Sequence, residues 1–283
     1  MGSAGRRRGR PRRLNAGRCR ARRGLRFRET PGGQDRRTSG DRNSVNRGRG
    51  SGSRRVRGVC TALLIAVFSK AVPAFGAGVA LVLAVDVSAS VTADSYVLQH
   101  DGIARAFENP RLVQAVSALP GGIEVLVMQW SDPDRIKVVV GWRRVEDAAS
   151  AGALASAVRS TQRSSHGLTA IGPALLAGAD AFDRLPEPAG RRVIDISGDG
   201  MANLGLPPKV ARDHIAAAGI SINALAILSE EPWLEDYYRN NVIGGPGAFV
   251  IAARDYRSFA DAMLRKLRQE IAGAAADGLA QMQ

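Results

Sequence analysis

The feature that most constrains the fold is a regular alternation of apolar runs and helical segments in residues 77–283. Six short apolar runs predict β-strands, and the segments between them carry the apolar spacing of amphipathic helices. Apolar strands that are each followed by such a helix are typical of a sheet covered on both faces. The predicted strands are Val79–Val85, Ile123–Trp130, Ile136–Trp142, Val193–Ser197, Ile220–Leu228 and Ala248–Ala252; the predicted helices are Ser95–Phe107, Arg111–Ala118, Val145–Thr161, Ala170–Leu185, Pro208–Ala218, Glu231–Asn240 and Tyr256–Ile271.

One pair of predicted strands departs from this alternation. Ile123–Trp130 and Ile136–Trp142 are separated only by "SDPDR", which is a turn sequence and predicts a hairpin. We therefore predict an α/β fold: a doubly wound, mostly parallel six-stranded sheet with helices on both faces and one antiparallel edge strand. In such sheets the ligand crevice lies beyond the carboxyl ends of the strands, where the strand order reverses.

Oxygen-bearing side chains follow three of the predicted elements. "LVLAVDVSAS" ends an apolar run with Asp86, Ser88 and Ser90, "SSHGLTAIG" places Thr169 before a helix, and "VIDISGDGMAN" places Asp199 after a strand. All five are hard oxygen donors, which suit Mg²⁺, Mn²⁺ or Ca²⁺. For the two aspartates, helix capping or solvation of a strand end is the alternative.

These motifs resemble those of the von Willebrand factor A (vWA) domain, and the resemblance covers residues 78–272. That family's metal-ion-dependent adhesion site uses D-x-S-x-S after the first strand, a Thr in a later loop and an Asp in a "DG" after the fourth strand. The resemblance implies that Ser88, Ser90 and Thr169 contact a divalent metal (Mg²⁺, or Mn²⁺ or Ca²⁺) directly, while Asp86 and Asp199 act partly through water. It also implies that a carboxylate of a partner protein completes the coordination.

A closer likeness is to a family of exported bacterial vWA-like proteins of unknown function. The segments "RRVIDISGDGMANLG", "LTAIGPAL" and "VVVGW" are similar to that family's characteristic sequences. This resemblance implies the fold and export from the cytoplasm, and it carries no activity with it.

Several further residues have two interpretations each. Gly198 and Gly200 are expected to let the backbone approach closely around Asp199, and Asn203 either orients this loop or only forms a turn. Asp195 is either a carboxylate that supports the metal site or a member of an ion pair. His166 is interpreted as an exposed loop residue, with a role at the site as the alternative. Surface or packing roles are expected for His100, His214, Trp130, Trp142 and Trp233, and "LRKLRQE" in the last helix predicts a solvated face.

The first 76 residues differ sharply in charge from the remainder. They hold 21 of the 40 Lys and Arg residues and 3 of the 26 acids, which leaves 19 basic and 23 acidic residues in 77–283. Residues 1–53 are rich in Arg, Gly and Ser and predict a disordered segment. We interpret them as translated sequence upstream of a mis-called start codon, with Val45 or Val56 as candidate true starts. A solvated tail and a nucleic-acid-binding arm are the alternatives.

Residues 54–76 have the layout of a secretory signal peptide. Arginines precede an apolar core at Val59–Phe68, and small residues lead to a predicted cleavage before Ala77. Ten apolar residues are too few to span a bilayer; a retained anchor is nevertheless the alternative. Both cysteines, Cys19 and Cys60, precede the cleavage position, so disulfides and thiol chemistry are excluded from the predicted mature chain. We expect a periplasmic or secreted protein.

Three functions are weighed from the sequence. The preferred hypothesis is a binding module that engages an acidic group of a partner protein through Mg²⁺, with no catalytic residue. The alternative is a metal-dependent hydrolase or phosphotransferase that uses Asp86, although a Ser stands at position 88 where such enzymes carry a second acid. Nucleic-acid binding through the Arg-rich segment is the third, and it is not expected of the mature domain, for which no stable membrane anchor is expected either.

Overall fold

The computed structural model describes the backbone of residues 76–281 and the side chains of residues 76–276. The predicted disordered segment and signal peptide, residues 1–53 and 54–76, therefore lie outside the described residues, apart from Gly76. The strands are β1 Val79–Asp86, β2 Ile123–Trp130, β3 Lys137–Val145, β4 Arg191–Gly198, β5 Ser221–Ile227 and β6 Val250–Ala253; the helices are α1 Ala93–Glu108, α2 Pro110–Ser117, α3 Ala148–Arg159, α4 Ile171–Ala181, α5 Pro208–Ala217, α6 Leu234–Asn241 and α7 Phe259–Gln281.

The six strands form one sheet in the order β3-β2-β1-β4-β5-β6. All neighbours are parallel except β2 and β3, which pair antiparallel and place β3 at the edge. The predicted doubly wound fold with one antiparallel edge strand is confirmed. Because β1 has β2 on one side and β4 on the other, the strand order reverses at β1, and the crevice expected there lies beyond Asp86 and Gly198.

Strand β1 shows why both faces of the sheet are buried. Its alternate residues from Val79 to Val85 belong to a core formed with α1, α2, α3 and α7. Ala80, Val82 and Ala84 belong to a second core formed with α4, α5 and α6. Side chains of a strand point alternately to its two faces, so a strand buried on both faces is apolar throughout. In the part of the chain that the structure describes, no helix is long and apolar enough to cross a membrane.

Two predicted boundaries between β3 and α3 were wrong. The strand continues to Val145, which pairs with Ile123, and the helix begins only at Ala148. Asp147 caps this helix: its carboxylate accepts from the backbone N of Ser150, and the Ser150 hydroxyl in turn accepts from the backbone N of Asp147. A cap of this kind fixes the first turn of a helix, so the preceding residues are free to stay extended.

The prediction of a solvated face for "LRKLRQE" was wrong for two of its residues. Lys266 and Glu270 are buried on the inner side of α7, and the Lys266 ammonium forms an ion pair with Asp195 of β4. The same ammonium lies 3.5 Å from Glu270 Oε1 and 4.9 Å from the centre of the Phe249 ring. Asp195 is thus a member of an ion pair, as one of its two interpretations held.

Candidate metal centre

Three of the five predicted ligands lie where β1 turns into α1. Asp86 is the last residue of β1, and the backbone N of Ser88 donates to its Oδ1 at 2.7 Å. Asp86 and Ser88 are buried, whereas Ser90 is exposed. Thr92 then caps α1 by accepting from the backbone N of Ser95. The turn is therefore held at both ends, and it presents a carboxylate and two hydroxyls within five residues.

Hydrogen bonds join this turn to the residue that follows β4. The Ser90 hydroxyl donates to Asp199 Oδ1 at 2.7 Å, and it lies 3.2 Å from the Ser88 hydroxyl. The other oxygen of Asp199 accepts from the Tyr256 hydroxyl at 2.8 Å. Asp199 is buried although it is outside the strand. The structure thus brings Ser88, Ser90 and Asp199 into one hydrogen-bonded group.

Gly198 brings Asp86 close to this group. A Cβ atom at position 198 would lie 2.9 Å from Asp86 Oδ2 and 2.6 Å from the Tyr238 hydroxyl, so a side chain there would displace one of them. A close approach was predicted at Gly198, and the structure shows one, although the neighbours are Asp86 and Tyr238. Around Gly200, by contrast, the space is open, and no close approach requires a glycine.

The fifth predicted ligand, Thr169, is tied to the others through its backbone. Its N donates to Asn203 Oδ1 at 2.8 Å, and its carbonyl accepts from Asn203 N at 3.0 Å. Next to it, the carbonyl of Gly167 accepts from Ala89 N at 2.8 Å. Asn203 therefore orients this loop. Within residues 76–276, no hydrogen bond joins the Thr169 hydroxyl to the other four side chains.

Without a cation, the negative charge of the buried Asp86 carboxylate is energetically unfavourable. Burial, together with the negative charge of Asp199, raises the pKa of Asp86 to about 7, although the Ser88 N–H and the Arg163 charge oppose the shift. Asp86 Oδ2 is buried and has no hydrogen-bond partner among the described residues. A buried carboxylate oxygen without a donor is costly, and a cation beside it would remove that cost.

The donor set fits a hard divalent cation. It consists of two carboxylates and three hydroxyls, without a sulfur or nitrogen ligand, and such oxygen sets suit Mg²⁺, Mn²⁺ or Ca²⁺. Two carboxylates would balance the charge of the ion. Among residues 76–276 there is no group of three or more His, Cys, Asp or Glu side chains that could hold a metal; the candidate centre has only two such residues and depends on its hydroxyls.

Sequence reasoning missed Arg163, which supports the centre from behind. Its guanidinium donates to the carbonyls of Val87 (2.8 Å), Ser88 (2.7 Å) and Val91 (2.6 Å), and to that of Ser165 (3.0 Å). All four acceptors are main-chain atoms, so no pattern of side chains could have indicated this role. The arginine fixes the turn that carries Ser88 and adds a positive charge near Asp86.

Tyr256 and Tyr238 were also missed. Tyr256 lies in a single 3₁₀ turn just before α7, and burial beside Asp199 raises the pKa of its hydroxyl, so it remains a donor. Tyr238 of α6 is fully buried, and its hydroxyl lies 3.4 Å from the carbonyl of Gly200. In the sequence both tyrosines look like ordinary core aromatic residues.

The histidines and tryptophans have packing or surface positions, as expected. His166 and His214 are exposed, whereas His100 is buried with Nδ1 at 2.9 Å from the carbonyl of Tyr96. Trp130 is fully buried and would lie 3.4 Å from a Cβ at position 198, which puts it directly beneath the centre. Of the other two, Trp142 donates to the carbonyl of Ala181, and Trp233 is 47% exposed.

Comparison with solved structures shows the class of fold, which is vWA-like. Proximal thread matrix protein 1 of the mussel byssus is similar with a TM-score of 0.50 and 14% identity, over 68% of this chain and 48% of that one. The pilus adhesin SpaC from Lactobacillus rhamnosus GG gives 0.50 and 14%, over 69% and 30%. A von Willebrand factor type A structure from Catenulispora acidiphila gives 0.47 and 17%, over 68% and 42%. This chain thus spans less than half the length of each.

The sequence also identifies the family to which the chain belongs. The model of the family described as "Protein of unknown function (DUF1194)" matches residues 77–275, and the chain belongs to that family. A search of the curated proteins found no match to the sequence. The matched residues include all five predicted ligands as well as Arg163 and Tyr256.

Proposed function

We propose that this domain is a binding module that holds a divalent cation through Asp86, Ser88, Ser90, Thr169 and Asp199 and engages a carboxylate of a partner protein. The observation that carries the proposal is the buried, unpartnered Oδ2 of Asp86 beside a second carboxylate. When bound, the cation would supply a Lewis-acidic position open to a further oxygen ligand. Mg²⁺ is the ion we propose, with Mn²⁺ or Ca²⁺ as alternatives.

The chain's own residues would prepare this site for the ion. Ser90 and Tyr256 hold the two oxygens of Asp199, so that carboxylate is oriented before binding. Arg163 fixes the turn that carries Ser88. Ser90 is exposed while Asp86 is buried, which leaves the Ser90 side of the centre accessible to a partner. A site built in this way loses little conformational entropy when it binds.

We propose a binding role rather than an enzymatic one. In a hydrolase or phosphotransferase of the alternative kind, Asp86 would attack the substrate. Asp86 is fully buried and its Oδ1 accepts from Ser88 N, which supports a role as a fixed ligand over a role as an attacking nucleophile. Turnover of p-nitrophenyl phosphate that requires Mg²⁺ and disappears in Asp86→Asn would overturn this part of the proposal.

The metal site is tested by titrating the full chain with MgCl₂ and MnCl₂ in a calorimeter. Asp86→Ala and Asp199→Ala are expected to abolish the binding heat while circular dichroism shows a folded domain. Asp183→Ala is the matched control, since Asp183 is an exposed acid in the segment between α4 and β4, which leads to the amino-terminal end of β4 and so lies away from the centre at its carboxyl end. Unchanged metal affinity in both site variants would rule out these ligands.

We further propose that the mature protein acts outside the cytoplasm, in the periplasm or the medium, after cleavage before Ala77. The support is the signal-like sequence of residues 54–76. Sequencing the N-terminus of the protein recovered from its native source tests this. An N-terminus near Ala77 is expected, and one that retains the Arg-rich segment would contradict it.

A further inference from the structure

A cavity of about 460 Å³ lies beside the candidate metal centre. Its walls are the loop between β4 and α5, the first turn of α5, and two residues of α6, Tyr237 and Asn241. The centre itself does not use this space. We name it the Lys209 pocket after the charged residue in its lining.

The Lys209 pocket is continuous with the metal centre through one residue. Asn203 lines the pocket, and its side chain and backbone both hydrogen-bond to the backbone of Thr169. The wall of the pocket is thus also the support of a predicted metal ligand. The pocket and the candidate metal centre therefore share one supporting residue.

The polar groups of the pocket are mainly hydrogen-bond donors. Lys209 is exposed and makes no ion pair with any residue of the described part. The Tyr237 hydroxyl accepts from Ala202 N, which leaves its own proton available. Asn203 uses its Oδ1 on Thr169, so its amide NH₂ is available too. No carboxylate belongs to the described lining, but the negative charge of Glu231 acts on the Tyr237 hydroxyl. The groups complementary to an anionic side chain are therefore Lys209 and the Asn203 amide.

Exposed apolar side chains lie in the loops around the pocket and the candidate metal centre. Leu168, Met201, Leu204 and Leu206 are between 37% and 50% exposed, and all four belong to loops next to the centre. Exposed apolar side chains gathered around a site often mark an interaction surface. Residues 77–283 carry 23 acidic and 19 basic residues, so the overall charge repels an acidic partner. Recognition of such a partner must come from local cations.

We propose that the Lys209 pocket binds a second acidic side chain of the partner polypeptide. The partner is then recognised by two carboxylates on one segment, one at the metal and one at Lys209, while the apolar residues contact the chain between them. This inference rests on the proposed function, since the first carboxylate requires the metal. It adds a determinant of specificity, because a single exposed acid on a protein would satisfy only half of the site.

An array of short synthetic peptides tests the inference. Each peptide carries one fixed Asp in a Gly/Ser background and one Glu, Gln or Leu at a varied distance from it, and the full chain is applied with MgCl₂ or with EDTA. In MgCl₂ we expect Glu at a particular spacing to bind about tenfold more tightly than Gln, as charged hydrogen bonds allow. Lys209→Met should remove this preference and leave binding of the Gln peptides unchanged.

Controls separate the pocket from the metal site. Arg184→Met removes an exposed positive charge, as Lys209→Met does, but on the segment between α4 and β4, and it should have no effect. Equal binding of Glu and Gln peptides, or a preference for Leu, would overturn the inference about the pocket. If these peptides nevertheless bound only in MgCl₂, the proposed function would stand. A Lys209-dependent preference for Glu that persists in EDTA would uphold the pocket and contradict the metal's role. If no peptide binds in either condition, the inference fails as well.

Discussion

Two groups of buried acids lie on β4 and just after it, and they are neutralised in different ways. Asp195, inside the strand, forms an ion pair with Lys266 of α7, and that ammonium also lies near Glu270. Asp199, just beyond the strand, lies near Asp86, and neither acid has an ion pair with a Lys or Arg of the described residues. The first group carries its cation in the chain. The second lacks one, which is the physical reason for expecting an external cation there.

Arg163 does not change this difference between the two groups of acids. It is the basic residue that acts electrostatically on Asp86, yet its N–H groups are directed to four main-chain carbonyls. It therefore holds the turn in place and does not neutralise the carboxylate by direct contact. The comparison predicts opposite behaviour of the two groups when a charge is removed or a metal is added.

The largest effect is expected from removing the cation that the chain supplies. Lys266→Met should lower the free energy of unfolding by about 3–5 kcal/mol, because it leaves Asp195 and Glu270 buried without their counter-ion. Urea denaturation followed by circular dichroism measures this. Arg268→Met, on the exposed side of the same helix, should change the value by less than about 0.5 kcal/mol. Equal effects of the two substitutions would contradict the buried ion pair.

The second prediction concerns the group without a cation. Mg²⁺ at about 100 times its dissociation constant should stabilise the protein by about 2.7 kcal/mol, since it binds only the folded chain. Asp86→Asn should abolish this gain and leave the metal-free stability within about 1 kcal/mol, because it removes a buried charge whose Oδ2 has no hydrogen-bond partner among the described residues. Thermal unfolding with MgCl₂ and with EDTA measures both quantities. A large loss of stability in EDTA would mean that Asp86 is satisfied within the chain.

The third prediction is a pH dependence at the Lys266 group. Burial and the charge of Asp195 raise the pKa of Glu270 to about 7, while Lys266, Asn223 and Arg191 oppose the shift. The folded state therefore binds a proton more tightly than the unfolded state. Glu270 thus contributes stability that is present below its ordinary pKa of 4.5 and is lost as the pH rises through about 7, with a slope of at most about 1.4 kcal/mol per pH unit.

Glu270→Gln tests this directly. The amide keeps an oxygen that can accept from Asn223 Nδ2, and it does not titrate. Denaturation series between pH 4.5 and 8 should show a shallower decline of stability for the variant than for the parent. A parallel decline in both proteins would assign the pH dependence to other groups, with Asp195 as the first to examine, since burial raises its pKa as well.

The sequence predicts the fold well because the fold depends on patterns along the chain. The apolar run of β1, the short turn before β3 and the D-x-S-x-S turn can each be recognised from consecutive residues in the sequence. The missed features depend on contacts between distant residues. Tyr256 and Asp199 are 57 positions apart, and Lys266 and Glu270 have the i, i+4 spacing of an ordinary surface pair. For the last two, the signal was Asp195, a carboxylate between the apolar residues Ile194 and Ile196.

The smallest effect is expected at Tyr256, and it distinguishes orientation of a ligand from packing. Tyr256→Phe removes only the hydroxyl that donates to Asp199 Oδ2 and keeps the buried ring. We expect Mg²⁺ affinity to fall roughly tenfold or less, since one hydrogen bond contributes about 1 kcal/mol, while the midpoint of unfolding in EDTA changes little. Calorimetric titration and thermal unfolding measure the two quantities. Tyr96→Phe is the matched control, because its hydroxyl bonds to Thr161 and Gln129 and touches no predicted ligand. If both variants lower the affinity equally, or if Tyr256→Phe changes only stability, then Tyr256 packs against the centre without orienting Asp199.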